Sequence, residues 1–150
     1  MNPLEFLPHQ PPMRLVQDVI ELVPGERATG IRIAAADDFY FAGHFPGQPI
    51  VPAIILVEMV AQVGGLAAAA PSDGRANVIH NLRIAGIGPF KFPAAAGPGA
   101  RLEARARVAG RLGAMFKIEG DVLADGVLVA RGSLTLAGGK KTETSDEADA

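Results

Sequence analysis

The segment from Gly43 to Gln62 carries the side chains best suited to chemistry. His44 lies in a loop rich in proline and glycine, and Glu58 follows it fourteen residues later as the single carboxylate of a long apolar stretch. An imidazole accepts a proton near neutral pH. A carboxyl group among isoleucines and valines is disfavoured as an anion, so it can stay protonated and act as a general acid. Taken singly, each residue could equally be structural, so their joint placement carries the hypothesis.

The apolar stretch from Pro52 to Ala69 predicts a long buried helix that would position this pair. Proline suits the first turn of a helix, where its missing N–H costs nothing. Gln62 lies four residues after Glu58 and so shares its helix face. The first N–H groups, around Ala53 and Ile54, lack partners within the helix and could stabilise charge developing on a carbonyl oxygen. A base, an acid and such donors are what elimination beside a thioester carbonyl requires.

Short β-strands are predicted on both sides of this helix. The segment from Met13 to Leu22 is ambiguous between strand and helix, and Pro24-Gly25 then predicts a turn into a strand from Arg27 to Ala35, forming an antiparallel hairpin. Four further strands are predicted after the helix: Arg75 to Phe92, Arg101 to Ala109, Ala114 to Ala124 and Val127 to Leu136. The pattern indicates an α+β fold, in which a curved antiparallel sheet wraps around one long buried central helix.

Composition excludes several classes of protein. A chain of 150 residues fits one domain, expected over 1–137, with a polar C-terminal tail over 138–150 expected to be disordered. The absence of cysteine excludes disulfides and thiolate metal sites, and the three histidines are too scattered to predict a metal site. A net charge of −2 gives no reason to expect nucleic acid. No signal peptide is evident, and Glu58 argues against a membrane span, so we expect a cytoplasmic protein.

The run from His44 to Gln62 resembles a family motif, His-Phe-Pro-Gly-x-Pro-x-x-Pro-Gly-x-x-x-x-Glu-x-x-Ala-Gln. It belongs to the 3-hydroxyacyl-[acyl-carrier-protein] dehydratases of the FabZ type, which have the hot-dog fold. The one departure within the motif is Ala53, where the family has glycine. The likeness extends over about residues 6 to 136 and includes Leu7-Pro8-His9, Glu21 to Gly25, Ala85-Gly86-Ile87, Lys91-Phe92 and Pro98-Gly99. Other departures are Gly88 and Ala100 in place of acids and the absence of tyrosines near Leu82-Arg83.

The resemblance implies a role for each matching residue. His44 would remove a proton from the α-carbon, Glu58 would protonate the departing 3-hydroxyl, and the N–H of Ala53, with Ile54 beside it, would polarise the thioester carbonyl. Gln62, Pro52 and Gly47 would support this site, and no cofactor is implied. Family sites lie at a dimer interface, with histidine and glutamate from different subunits. We therefore expect a homodimer, or a trimer of such dimers.

Two surfaces are also expected to bind substrate. Phe39, Phe41 and Phe45 are candidates to line an acyl tunnel, although ordinary core packing explains most such residues. The implied partner, acyl carrier protein, is acidic, and four basic residues are candidates to dock it: Lys91, Arg101, Arg105 and Arg107. The three arginines share one face of a predicted strand. A solvated charged face explains them equally well.

Two other functions remain open from the sequence. A thioesterase on the same fold would use Glu58 to direct water at the thioester carbonyl, but it would have no need of a base such as His44. A non-catalytic partner subunit would bind acyl carrier protein through a degenerate site. Retention of both His44 and Glu58 argues against that function, whereas Ala53 and the missing tyrosines argue weakly for it.

Overall fold

One long helix lies against a curved sheet and forms the centre of the molecule. The structure is a computed structural model that describes residues 2–70 and 79–140. A short 3-10 helix, Pro3–Phe6, is followed in chain order by β1 (Asp18–Val23), β2 (Arg27–Ile33), α1 (Ala53–Ala69), β3 (Ile79–Lys91), β4 (Arg101–Leu112), β5 (Met115–Ala124) and β6 (Val127–Lys140). The predicted α+β architecture is confirmed, and α1 begins one residue after Pro52, which is its N-cap.

The strands form a single antiparallel sheet in the order β1-β2-β4-β5-β6-β3. The predicted first hairpin is confirmed, since β1 pairs with β2 from Asp18 opposite Ile31 to Val23 opposite Arg27. The β5–β6 hairpin turns at Asp125 and Gly126, whose φ angles of 48° and 84° are both positive, as a type I′ turn requires. This order leaves β1 and β3 as the edges of the sheet.

The last strand extends further along the chain than the predicted end at Leu136. Strand β6 continues through Lys140, three residues beyond the expected domain end at 137, because Gly139 and Lys140 pair with His80 and Ile79 of β3. Backbone pairing needs no apolar side chain, so the glycine-rich end of β6 gave no strand pattern. The rest of the predicted tail, 141–150, and the start of the predicted third strand, 75–78, lie outside the described residues.

Burial on the sheet, rather than helix propensity, stabilises α1. Isoleucine and valine are weak helix formers, yet eleven residues of α1 are buried and the helix contacts every strand. Helix α1 lies close to β5 because Gly64 faces Ile118. A Cβ on Gly64 would lie 2.6 Å from the Ile118 side chain. Among the described residues, no helix combines the length and apolarity needed to cross a membrane.

Candidate active site

His44 is held in a fixed orientation by its own loop. A tight turn spans Phe45 to Gln48, where Gly47 has a φ of 76° that a residue with a side chain rarely adopts. The loop then returns, so that the Ile50 N–H donates to the His44 carbonyl over 2.8 Å. The Ile50 carbonyl lies 3.1 Å from Nδ1 of His44. Because a carbonyl only accepts hydrogen bonds, Nδ1 carries the proton and Nε2 is left with its lone pair, as a base requires.

A buried polar cluster anchors the start of this loop. Asp38 accepts two hydrogen bonds from the Arg32 guanidinium, at 2.5 and 3.1 Å, and one from the Tyr40 hydroxyl at 2.8 Å. The Asp38 side chain is 8% exposed and that of Arg32 is 16% exposed, so the charges meet largely out of water. From Asp38 the backbone continues through two short turns, Phe41 N–H to the Asp38 carbonyl and His44 N–H to the Phe41 carbonyl. The cluster therefore ties the His44 loop to β2.

The cluster shifts the acid–base properties of its members. Burial alone would raise the pKa of Asp38, but the hydrogen bonds from Arg32 and Tyr40 and the Arg32 charge outweigh it and hold that pKa below its ordinary value. Burial, followed by the hydrogen bond to Asp38 and its negative charge, raises the pKa of Tyr40 to about 12. Asp38 is thus an anion and Tyr40 a neutral phenol near neutral pH. No sequence pattern pointed to these three residues.

The N-terminus of α1 presents backbone N–H groups that no acceptor meets among the described residues. The Ile55 and Leu56 N–H groups both point to the Pro52 carbonyl, at 2.9 and 3.4 Å. Among the described residues, neither the Ala53 nor the Ile54 N–H donates to a protein acceptor, and Pro52 offers no side-chain cap. Both residues are exposed, Ile54 by 76%. An oxygen atom of a ligand could therefore reach both N–H groups.

Glu58 lies on α1 with its carboxylate at the edge of a cavity. Its side chain is 26% exposed, so it is less buried than its apolar neighbours in the sequence suggested. Oε2 accepts a hydrogen bond from Nε2 of Gln62 at 2.9 Å and lies 3.6 Å from Nε2 of His9. The sequence analysis gave His9 no function, although Leu7-Pro8-His9 was part of the family resemblance. A histidine separated by 49 residues from its glutamate leaves no local pattern.

Gln62 fixes the position of Glu58 through hydrogen bonds to the N-terminal segment. Its Oε1 accepts from the Leu15 N–H at 3.0 Å, and its Nε2 donates to the Met13 carbonyl at 2.8 Å. These two backbone partners determine which way the amide faces and leave the second N–H of Nε2 directed at Glu58. Gln62 is only 1% exposed, so the network is shielded from water.

The cavity beside Glu58 has a volume of about 310 Å³ and is mostly apolar. It runs between α1, the N-terminal segment and strands β3 and β6. Its polar lining consists of Glu58, Gln62, His9 and Arg83; its apolar lining consists of Phe6, Leu7, Pro8, Ala61, Gly65, Ala69, Leu82, Ile84 and Leu136. One carboxylate at the edge of an apolar cavity suits a ligand with a polar reacting group and a hydrocarbon chain.

Within a single chain, the structure does not bring the two predicted catalytic residues together. Among the described residues, His44 shares no hydrogen bond, ion pair or cavity with Glu58. Phe39, Phe41 and Phe45, which were predicted to line an acyl tunnel, surround a different cavity. This cavity has a volume of about 300 Å³ and lies under the His44 loop. Phe41 is buried, whereas Phe45 is 53% exposed and stacks on the His44 ring at 4.3 Å. Their part in binding an acyl chain stays a prediction.

Three of the four basic residues proposed for docking already have acidic partners. Arg101 pairs with Glu103 at 3.0 Å, and Arg105 contacts both oxygens of Asp121 at 2.7 and 2.9 Å. Arg107 pairs with Glu119 on the neighbouring strand. Lys91 is exposed at the end of β3, with no ion pair among the described residues. The charges of these three arginines are therefore already paired on the sheet, and docking there stays a prediction.

Comparisons with known proteins agree with the motif. Residues 7–133 match the FabA-like domain family. The 3-hydroxyacyl-[acyl-carrier-protein] dehydratase FabZ of Syntrophotalea carbinolica is 34% identical over 131 residues, covering 87% of this chain and 88% of that protein. The FabZ of Bacillus cereus strain AH820 is 33% identical over 139 residues, covering 93% and 94%. The chain therefore belongs to the FabA-like family.

A solved structure shows the same fold at lower sequence similarity. The dehydratase heterocomplex ApeI:P from Xenorhabdus doucetiae superposes with a TM-score of 0.68 at 18% identity, over 100% of this chain and 99% of that one. The sheet wrapped around α1 is thus the hot-dog fold expected from the family resemblance. At this level of identity the likeness concerns the fold alone.

Proposed function

We propose that this protein dehydrates 3-hydroxyacyl thioesters carried on acyl carrier protein to trans-2-enoyl thioesters, in fatty-acid or related lipid or polyketide biosynthesis. The observation that carries the proposal is the placement of Glu58, a carboxylate fixed by Gln62 at the edge of an apolar cavity. Membership of the FabA-like family and the two FabZ relatives support the same reaction. Nothing in this chemistry requires a cofactor.

The reaction follows from three groups of this chain. Nε2 of His44 takes a proton from the α-carbon, and the electron pair of the broken C–H bond forms the new double bond. The N–H groups of Ala53 and Ile54 hold the thioester oxygen as charge develops there. Glu58 gives its proton to the 3-hydroxyl as the C–O bond breaks, so water leaves. The proton on His44 then returns to Glu58 through solvent.

A second subunit would complete this site. His44 and Glu58 make no contact within one chain among the described residues, whereas elimination requires both at one substrate. Strand β3 is an edge strand, and pairing such edges across a two-fold axis is a common way to cover them. The proposed homodimer would place His44 of one subunit beside Glu58 of the other. A cytoplasmic location and assembly into a trimer of dimers stay predictions.

Mixing two inactive variants tests the shared site. His44→Ala and Glu58→Gln proteins are combined, exchanged under mild denaturation and assayed. Half of the dimers would be mixed, and each mixed dimer would hold one intact site of two, so about a quarter of wild-type activity should return. Recovery of none, with subunit exchange demonstrated by mass, would mean that each site lies within one chain.

One assay separates the proposed reaction from the two alternatives. The full chain is incubated with 3-hydroxyacyl and trans-2-enoyl thioesters of acyl carrier protein, and both interconversion and thiol release are followed. Reversible hydration without thiol release supports the dehydratase. Thiol release would identify a thioesterase acting through Glu58, and absence of both reactions would leave a binding subunit.

A further inference from the structure

Beyond Glu58 and Gln62, the wall that α1 contributes to the Glu58 cavity consists of small residues. Ala61, Gly65 and Ala69 follow Glu58 along the lining, and Leu82, Ile84 and Leu136 face them from the sheet. From Glu58 to Ala69 the helix rises by about 16 Å. A hydrocarbon chain that begins at Glu58 could therefore lie along the helix, with Gly65 about two thirds of the way along its path.

Two adjacent glycines in this helix differ in what surrounds them. A Cβ on Gly64 would lie 2.6 Å from the Ile118 side chain, so close packing on the sheet explains that glycine. A Cβ on Gly65 would meet nothing nearer than the Leu136 Cδ1 at 4.0 Å, an ordinary contact. The space at Gly65 could hold a methyl group without any displacement.

Glycine in the interior of a helix is less stable than alanine because its backbone loses more freedom on folding. Packing does not require glycine at 65, because a methyl group would fit there. Glycine at this position therefore lowers helix stability and is not needed for close packing. The atom it omits would project toward Leu136, which lines the cavity. We propose that Gly65 determines acyl-chain selectivity by keeping the cavity open along α1, so that the chain of a medium or long 3-hydroxyacyl thioester passes beside it. This inference rests on the proposed dehydratase function.

Substitution of Gly65 should separate stability from selectivity. Gly65→Ala should raise Tm by about 3 °C through the gain in helix propensity. Gly65→Leu should fill the cavity beside Leu136. Each methylene that no longer fits lowers kcat/KM by about fourfold, so the ratio of kcat/KM for 3-hydroxydodecanoyl over 3-hydroxybutanoyl carrier-protein thioesters should fall at least about tenfold.

Gly64→Ala is the matched control, since it adds the same methyl group one residue earlier, away from the cavity. It should lower Tm through the contact with Ile118 and leave the ratio of long-chain to short-chain kcat/KM unchanged. A ratio that stays constant in active Gly65→Leu protein would overturn the inference. A lower Tm in Gly65→Ala would also overturn it, because glycine would then be needed for folding.

A binding measurement keeps this inference separate from the proposed reaction. If the wild-type chain turns over no thioester of any length, the dehydratase proposal fails. Calorimetry with dodecanoyl-pantetheine then tests whether an acyl chain still binds beside Gly65. Binding at least about tenfold weaker in Gly65→Leu than in wild type would support the acyl path beside Gly65. Equal affinity, or no binding to wild type, would overturn it.

Discussion

Around His44 the chain is held by polar contacts, whereas around Glu58 it is held mainly by apolar packing. The His44 loop depends on the Arg32–Asp38–Tyr40 cluster, on turn hydrogen bonds and on the contact between Nδ1 and the Ile50 carbonyl. Helix α1 is buried against all the strands of the sheet, and Gln62 is its one fully buried polar side chain. The two halves of the proposed site are therefore positioned by different forces.

This difference has consequences for substitution. Apolar packing is non-directional and spread over many contacts, so the loss of one contact moves α1 little. Hydrogen bonds are directional, and the His44 loop has few of them. The loss of one partner therefore leaves another group unsatisfied and allows the loop to move. We therefore expect a change around His44 to lower turnover as well as stability, whereas a change around Glu58 should lower mainly stability, apart from the two reacting groups themselves.

The largest effects should come from the reacting groups. His44→Ala and Glu58→Gln should each lower kcat by about a hundredfold or more, because each removes a proton donor or acceptor. Steady-state assays with carrier-bound 3-hydroxyacyl thioesters, on variants shown to be folded by circular dichroism, would measure this. Near-wild-type rates in both variants would contradict the mechanism.

The next largest effect should follow loss of the Asp38 charge. Asp38→Asn leaves the Arg32 guanidinium without its counter-charge, so unfolding should become easier by about 3 kcal/mol and kcat should fall by about tenfold. The stability gap from wild type should narrow as pH falls below 3.8, because ionised Asp38, whose pKa is lowered in the folded protein, stabilises the fold fully above pH 3.8 and loses this contribution as pH falls through the lowered pKa. Urea titrations at several pH values would measure the loss of stability, and steady-state assays would measure the fall in kcat.

A second arginine–aspartate pair provides the matched control for Asp38→Asn. Asp121 also meets both nitrogens of an arginine fork, but its partner Arg105 is 46% exposed on the outer face of the sheet. Asp121→Asn should cost at most about 1 kcal/mol and leave kcat unchanged. If it lowered kcat as much as Asp38→Asn, the effect at Asp38 would not be specific to the His44 loop.

On the helix side, Gln62→Met should destabilise by about 2 kcal/mol. Methionine matches glutamine in length, but it leaves the buried Leu15 N–H without an acceptor and Glu58 without its donor. The loss of folding free energy should exceed the loss of transition-state stabilisation derived from kcat/KM. Urea unfolding and steady-state kinetics on the same variant would measure the two losses. A larger loss of transition-state stabilisation than of folding free energy would contradict the proposed difference between loop and helix.

The last prediction concerns Tyr40, whose contribution to stability changes only in alkaline solution. It is the single tyrosine of a chain without tryptophan, so tyrosinate absorbance reports this residue alone. Its midpoint should lie near 12 in the folded protein, against 10.0 for an ordinary tyrosine. The stabilisation from neutral Tyr40 is complete below pH 10 and is lost as pH rises toward 12. Tyr40→Phe should lack this loss, of about 3 kcal/mol. A midpoint near 10 in folded protein would show that Tyr40 is not buried against Asp38.

Several features were predictable because their causes are local. The α1 helix follows from a long run after proline that is apolar apart from Glu58 and Gln62, and the Asp125-Gly126 hairpin follows from a dipeptide that accepts two positive φ angles. The pairing of Glu58 with Gln62 follows from their spacing of four on one helix. His44 and Glu58 as candidates follow from the long motif, which is contiguous in the sequence.

Only the tertiary structure decided the remaining features, because they join residues distant in the chain or lacking side-chain patterns. It placed His9 beside Glu58, set Arg32 against Asp38 and Tyr40, and extended β6 to Lys140 by backbone pairing. It also showed that the cavity along α1 and the hollow beneath the phenylalanines of the His44 loop are separate. The sequence by itself determined which groups could do acid–base chemistry and which helix carries the acid. Packing determined what surrounds them, since cavities and ion pairs depend on distances in space rather than along the chain.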